Sequence, residues 1–155
     1  MGGDGGVRIR RMSAEDVGRV MEIAGSLPHA PHWPASAYVA AMNPENTPRR
    51  IALVAEEGGT AAGFVVANVV AAEAELEAVV VAAEAQRRGL GGMLLDALQV
   101  ELRAEQATDL ILEVRASNRA ALGLYGTHGF VEFARRVRYY ADPEEDAVLM
   151  WMRLV

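Results

Sequence analysis

The stretch Gln86-Arg87-Arg88-Gly89-Leu90-Gly91-Gly92 separates two segments with different hydrophobic patterns. The segment before it, residues 76–81 (LEAVVV), is apolar and rich in β-branched residues, which indicates a buried strand. In the segment after it, leucines recur every fourth residue, at Leu90, Leu94, Leu98 and Leu102. That spacing is typical of an amphipathic helix with one apolar face. We therefore predict a strand, a glycine-rich loop and a helix in succession.

The loop has the properties of an anion-binding site. Glycine lets the backbone turn tightly, and the first turn of a helix offers unpaired N–H groups at the positive end of the helix dipole. Arg87 and Arg88 add positive charge. The pattern predicts a phosphate or pyrophosphate ligand, with an ordinary strand-to-helix turn as the alternative. Other nucleotide loops fit less well, because no Lys-Ser/Thr pair follows Gly92 and the spacing of Gly89, Gly91 and Gly92 is not that of a dinucleotide-binding loop.

The composition limits the chemistry that the chain can perform. With 155 residues, 52% of them hydrophobic, we expect one domain over residues 1–155, with residues 1–6 (MGGDGG) as a flexible leader. The chain has no cysteine and no lysine, which excludes a thiol nucleophile, a cysteine-bound metal and a lysine Schiff base. The net charge of −6 argues against a general nucleic-acid binder and suits a cationic acceptor. No segment is apolar enough to span a membrane and no secretory signal is evident, so we expect a cytoplasmic location.

The remaining elements follow from alternating and helical apolar patterns. Strands are predicted at residues 7–12, 50–55, 62–70, 74–81, 109–115, 130–139 and 147–154. Helices are predicted at about residues 13–25, 35–42, 90–105 and 118–128. There is no internal repeat and no linker. The pattern indicates an α/β protein of the α+β type, with a mixed, mostly antiparallel sheet of about seven strands flanked by about four helices.

Residues 27–34 (LPHAPHWP) form a proline-rich loop that cannot be regular structure. His29 and His32 could contribute to a metal site, but no third ligand is close in sequence, so we expect no metal. Trp33 either recognises a substrate, as aromatic residues on loops often do, or packs into the core.

Glu73, Glu75 and Glu77 fall on one face of the strand before the glycine loop, since side chains alternate along a strand. They form either a solvated edge or an acidic wall that attracts a cationic amine. Glu77 is therefore a candidate substrate-binding residue.

Glu113 interrupts an apolar strand, where a carboxylate is costly unless it is exposed, paired or functional. Partial desolvation would raise its pKa towards that of a general base, whereas a pair with Arg115 or another neighbour would make it structural. Tyr125, on the following helix, could pack in the core or donate a proton to a departing thiolate. Asn118 could simply cap that helix.

These residues resemble a known family. QRRGLGG after a β-branched strand is similar to the acyl-CoA-binding motif of the GNAT superfamily of N-acetyltransferases. Residues 113–130 (EVRASNRAALGLYGTHGF) closely resemble its ribosomal-protein-alanine N-acetyltransferase group, and residues 137–150 (VRYYADPEEDAVLM) resemble the same group. The resemblance covers most of the chain, and the EVRASN…LY…GF run is its most specific part.

The resemblance implies direct acetyl transfer from acetyl-CoA, without a metal, to a protein N-terminal α-amine. The natural candidate is the N-terminal alanine of a small-subunit ribosomal protein. A small amine, a lysine side chain or a non-catalytic acyl-CoA-binding role are the alternatives. It also implies roles for individual residues: acetyl-CoA binding by Val79, Val80, Val81, Arg87, Arg88, Gly89, Leu90, Gly91, Gly92 and Asn118, proton acceptance by Glu113, proton donation by Tyr125, and substrate binding by Tyr139.

Overall fold

The computed structural model describes residues 6–154, so residues 1–5 of the predicted leader and Val155 lie outside the described part. The strands are β1 (Val7–Arg11), β2 (Arg49–Glu57), β3 (Thr60–Val70), β4 (Glu73–Val81), β5 (Asp109–Arg115), β6 (Val131–Tyr140) and β7 (Glu145–Arg153). The helices are α1 (Val17–Gly25), α2 (Ala35–Met42), α3 (Leu90–Ala104) and α4 (Arg119–Thr127). Every predicted strand and helix is present, and the differences lie mainly at the ends of the elements.

The seven strands form one sheet in the order β1-β2-β3-β4-β5-β7-β6. All neighbouring strands are antiparallel except β4 and β5, which are parallel and are connected through α3. The predicted mixed, mostly antiparallel sheet is thus confirmed.

The core lies on both faces of the central strands. Residues 51–55 of β2 and 61–67 of β3 are buried without interruption, which requires cover on both faces of the sheet. Helix α3 packs on β2, β3 and β4, while α1 and α2 contact each other and the same region of the sheet. The predicted leucine stripe of α3 is fully buried, at Leu90, Leu94, Leu98 and Leu102.

The parallel pair β4–β5 is joined only at its start, where residues 73–75 pair with residues 109–111. Beyond this point each strand stays with its outer neighbour, because β4 pairs with β3 as far as Val81 and β5 pairs with β7 as far as Arg115. The two strands therefore diverge towards their carboxyl ends. Residues 76–81 and 112–115 face each other across a cleft.

Strand β4 carries a β-bulge inside this cleft. Leu76 pairs with Ala67 and Ala78 pairs with Val66, so Glu77 is an extra residue without a partner on β3. Bulges of this kind redirect a side chain and are common beside active sites.

Strand β6 forms one edge of the sheet, and its residues 131–139 are exposed on both faces. Its pairing with β7 shifts register twice, between Glu132 and Ala134 and between Arg136 and Tyr140. In the described part of the chain, no helix has the length and apolarity needed to cross a membrane.

Candidate active site

A cavity of about 730 Å³ occupies the cleft between β4 and β5. Ligands of α/β proteins commonly bind where parallel strands separate at their carboxyl ends. Most of the predicted site residues line this cavity: Glu77, Val79, Val80, Val81, Arg87, Gly89, Leu90, Gly91, Gly92, Glu113, Asn118 and Tyr125. The divergence of the two strands therefore places residues as far apart in sequence as Glu77 and Tyr125 around the same cavity.

One end of the cavity is the start of α3. Gly89 precedes the helix with φ of 81°, and Arg87 also has a positive φ, of 69°. These two left-handed residues turn the backbone from the segment after β4 into the first turn of α3. The first N–H groups of α3 have no partner within the helix, so this end of the cavity suits an anion.

Gly91 and Gly92, in the first turn of α3, leave little room for side chains. A Cβ atom at Gly92 would lie 2.6 Å from Nε2 of His128, and one at Gly91 would lie 3.1 Å from a methyl carbon of Leu124. His128 is held by Asp96, whose Oδ1 lies 3.2 Å from its Nδ1. Helix α4 thus packs directly on the first turn of α3, and small residues there permit the contact.

Arg88 does not line the cavity. Its guanidinium donates two hydrogen bonds of 2.6 Å to the two carboxylate oxygens of Glu57, the last residue of β2. Only Arg87 of the two predicted loop arginines lies at the cavity wall.

The opposite wall carries Glu113, at the open end of β5. Its carboxylate Oε1 lies 3.6 Å from the guanidinium NH1 of Arg136 on β6, and its side chain is 28% exposed. Arg115 pairs with Glu145 instead, at 3.3 Å, so of the predicted partners of Glu113 it is another neighbour, Arg136, that forms the ion pair.

Tyr125 lies on α4 with its ring 5.6 Å from that of Phe130 and is only 8% exposed. Burial raises the pKa of the Tyr125 phenol to about 12, because the charged phenolate is poorly solvated there. The phenol is therefore neutral, and able to donate a hydrogen bond, at any ordinary pH.

Glu77 reaches the cavity from the bulge of β4. Its Oε2 accepts hydrogen bonds from Arg50 Nε at 2.8 Å and from Asn68 Nδ2 at 3.2 Å. Asn118 lies at the start of α4, where its Oδ1 accepts a hydrogen bond of 3.2 Å from Ala121 N, so the predicted capping role is confirmed.

The two predicted aromatic substrate residues lie outside the cavity wall. Trp33 packs against Tyr38 with ring centroids 5.4 Å apart. Tyr139 is 48% exposed and lies edge-on to Tyr140, with the Arg136 guanidinium 5.1 Å from its ring.

The cleft therefore lies between two diverging parallel strands and is bounded by a helix that begins after a glycine. It is lined by the Glu113 carboxylate and the buried Tyr125 phenol. The model of the acetyltransferase (GNAT) family matches residues 19–130, more than half of the chain. The chain belongs to the GNAT acetyltransferase family. The resemblance that the motifs predicted is thereby confirmed.

Relatives within the GNAT family include ribosomal-protein acetyltransferases. A [ribosomal protein bS18]-alanine N-acetyltransferase of Salmonella typhimurium is 47% identical over 91 residues, which cover 57% of this chain and 62% of that protein. The chain thus matches less than two thirds of that relative's length. A Bacillus subtilis protein, provisionally assigned the same activity, is 33% identical over 146 residues, or 94% of this chain and 95% of its own.

A solved structure extends the similarity over the whole GNAT fold. The crystal structure of the ribosomal-protein-S18-alanine N-acetyltransferase from Escherichia coli has a TM-score of 0.83 and 32% identity. The superposition covers 96% of this chain and 94% of that one.

Several residues of this GNAT cavity were not predicted from the sequence. The proline-rich loop contributes residues 27–31, including His29, rather than Trp33. Tyr140 lines the cavity in place of its neighbour Tyr139, and Arg115 lies over the Tyr140 ring at 4.2 Å. Burial and then the nearby charge of Glu113 raise the pKa of Tyr140. The adjacent tyrosines at 139–140 were the signal in the sequence, but alternation could not decide between them because of the register shift in β6.

His29 and His32 have no metal site around them in the described part of the chain, where no group of three or more His, Cys, Asp or Glu side chains could hold a metal ion. The titratable groups of the GNAT cavity are thus carboxylates, phenols, arginines and one imidazole.

Proposed function

We propose that the chain transfers the acetyl group of acetyl-CoA to the N-terminal α-amine of a protein, with the N-terminal alanine of ribosomal protein bS18 as the natural candidate acceptor. The observation that carries the proposal is one cleft that combines an anion-binding helix start, the Glu113 carboxylate and the Tyr125 phenol. The names of the relatives from Salmonella typhimurium and Escherichia coli support the choice of acceptor. Action on a ribosomal protein would place the chain in the cytoplasm.

The residues present fit acetyl-CoA, which would supply the activated acetyl thioester. The N–H groups from Arg87 to Gly92 would hold its pyrophosphate, with Arg87 adding positive charge. The free edge of β4 along Val79, Val80 and Val81 would offer the N–H and C=O groups of alternate residues to the pantetheine amides, since β5 leaves this edge unpaired. Asn118 at the cavity wall would make a further polar contact.

The reaction forms a nitrogen–carbon bond and breaks the carbon–sulfur bond of the thioester. Glu113 would accept the proton that the α-ammonium loses, directly or through a water. Because an α-amine has a pKa of about 7.7–8.0, this base needs to supply only modest help at neutral pH. An N–H group of residues 79–81 would stabilise negative charge on the carbonyl oxygen. The Tyr125 phenol would then donate its proton, or a strong hydrogen bond, to the departing sulfur.

The acceptor would bind between the β4 bulge, the proline-rich loop and the end of β6. Oε2 of Glu77 is occupied by Arg50 and Asn68, and its other oxygen has no hydrogen-bond partner among the described residues. That oxygen would attract the acceptor's cationic amine. We propose that Tyr139 shapes the entrance beside Tyr140, and that Trp33 acts on the substrate through the loop that it anchors on Tyr38.

Release of CoA thiol tests the proposal, and the absence of cysteine means that the protein gives no background with a thiol reagent. We expect rapid release with acetyl-CoA and an alanine-starting peptide, and slow release with the same peptide blocked at its N-terminus. Preference for a lysine-centred peptide or for spermidine would replace the α-amine acceptor by a lysine side chain or a small amine. Tight acetyl-CoA binding without release for any acceptor would indicate a non-catalytic binding protein.

A further inference from the structure

The loop that leads into α3 is tethered at two points, one at the cavity wall and one outside the cavity. Gln86 Nε2 donates a hydrogen bond of 3.0 Å to the carbonyl of Val81, and Arg88 makes its two bonds of 2.6 Å to Glu57. Arg87 lies between these tethers with a positive φ, which a residue with a side chain adopts only when its surroundings hold it there. The loop geometry is therefore held in part by the Arg88–Glu57 pair, which lies outside the cavity.

The second tether, the Arg88–Glu57 pair, lies at the end of the β2–β3 hairpin. The pairing of β2 with β3 shifts between Ala55 and Glu56, which leaves Ala62 as an extra residue on β3. The carbonyl of Ala62 accepts a hydrogen bond of 2.8 Å from Ala82 N, directly after β4. The hairpin end thus holds the segment between β4 and α3 by a backbone bond at one point and by Glu57 at another.

We propose that Glu57 is a positioning residue for acetyl-CoA: through Arg88, it fixes the loop whose N–H groups receive the pyrophosphate. The inference rests on the proposed function for the use of acetyl-CoA, and it assigns a role to a side chain outside the cavity. A bidentate arginine–carboxylate pair restrains both position and orientation, which a single contact would not. Arg88, on this view, acts on the ligand through the backbone and not through its charge.

The rival explanation makes the opposite prediction. If Arg88 were a direct phosphate ligand held back by Glu57, loss of the Glu57 charge would release Arg88 and strengthen binding. If Glu57 positions the loop, loss of that charge lets the loop depart from its binding geometry and weakens binding.

The test is calorimetric titration of CoA into the full chain, compared with Glu57→Gln. We expect the Kd of CoA and the KM of acetyl-CoA to rise about threefold to fivefold, the upper range for a partly exposed ion pair. The kcat at saturating acetyl-CoA and the KM of the acceptor should stay unchanged. Glu45→Gln, which removes an equal charge from an exposed position outside the cavity, is the matched control and should bind like wild type.

A double-mutant cycle separates the two roles of Arg88. Arg88→Gln should weaken CoA binding as much as Glu57→Gln does, and the double variant should be no weaker than either. The exchanged pair, Glu57→Arg with Arg88→Glu, should regain binding to within about twofold of wild type, since it restores the tether. Melting temperatures should match wild type, which shows that the loop and not the fold has changed.

Equal or tighter CoA binding by Glu57→Gln would overturn the inference, as would an exchanged pair that binds more weakly than both single variants. Each of these results leaves acetyl transfer by the wild type intact. A wild-type chain that binds no CoA would instead overturn the proposed function and this inference together.

Discussion

Replacement of Tyr125 by phenylalanine removes the phenol hydroxyl that the proposed reaction uses and keeps the aromatic ring. The ring would keep its edge-on contact with Phe130 at 5.6 Å, so the packing of α4 should persist. We therefore expect a catalytic defect in Tyr125→Phe without a loss of stability.

The size of the defect follows from the pKa of the phenol. Burial raises the pKa of Tyr125 to about 12, whereas an ordinary thiol has a pKa of about 8.5. Complete proton transfer from phenol to a free thiolate is therefore unfavourable, and the phenol contributes chiefly as a hydrogen-bond donor to developing negative charge. A hydrogen bond to a charged group contributes roughly 1.5–3 kcal/mol, which corresponds to a fall in kcat of about 10- to 150-fold.

The assay is steady-state CoA release with an alanine-starting peptide, together with calorimetric binding of acetyl-CoA. We expect kcat to fall as stated while the Kd of acetyl-CoA stays within about twofold, because the lost interaction strengthens only in the transition state. Tyr38→Phe is the control: its hydroxyl is buried without a partner among the described residues and does not line the cavity. That variant should keep full activity.

The pH dependence gives a second check. The wild-type rate should show no fall from phenol ionisation until the pH approaches about 12. Because the folded pKa exceeds the ordinary value of 10.0, the stability linked to Tyr125 is present below pH 10 and lost as the pH rises towards 12. A Tyr125→Phe enzyme with unchanged kcat would refute the assignment of Tyr125 as the hydrogen-bond donor to the departing sulfur.

Three further predictions concern the base, the strand spacing and the fold. Glu113→Gln should lower kcat/KM at pH 7 by about 100-fold, with partial recovery at pH 9, where the acceptor amine is already neutral; an unchanged pH–rate profile would place the base elsewhere. Gly63→Ala should lower the free energy of unfolding by roughly 1–3 kcal/mol, because the added Cβ would lie 2.8 Å from the carbonyl oxygen of Val80. Gly18→Ala is the control: a Cβ there, in helix α1, would have no atom within 4 Å, so the free energy of unfolding should rise by roughly 0.5–1 kcal/mol. Asp16→Asn should cost roughly 1.5–3 kcal/mol in urea unfolding at pH 7, because Arg10 donates hydrogen bonds of 2.8 and 2.9 Å to the Asp16 carboxylate, which lowers the pKa of Asp16 and keeps it charged in the fold. The difference from wild type should shrink as the pH falls below the ordinary value of 3.8.

The fold was predictable from the sequence because its elements carry strong local signals. The leucine stripe of α3 and the apolar run around Glu113 each depend on neighbouring residues only. The order of the strands was not predictable in the same way. It depends on pairing between distant segments, such as β5 with β7, which no local pattern specifies.

In the candidate site, too, some features follow from local sequence and others depend on the folded backbone. Residues on the loop and on β4 were predicted from motif and chemistry, and most of them line the cavity. Arg88 and Tyr139 are different, because their side-chain directions depend on irregular backbone. Arg88 lies between two residues with positive φ, and Tyr139 follows Arg138, which has φ of 55°. Simple alternation fails at such positions, so a sequence motif can name the right segment and still choose the wrong side chain.

Because the pairing of β4 with β5 ends early, the same feature serves both acetyl-CoA binding and catalysis in the proposed activity. If the strands paired along their whole length, the edge of β4 at residues 79–81 would be occupied by β5, and Glu113 would lie against β4 instead of open space. Divergence after Ile111 frees the β4 edge for a ligand and exposes Glu113 to the same cavity. Full pairing on the outer sides, to β3 and β7, holds the strands apart without loss of sheet order. One interruption of backbone pairing thus provides both the binding surface and the space for the reaction.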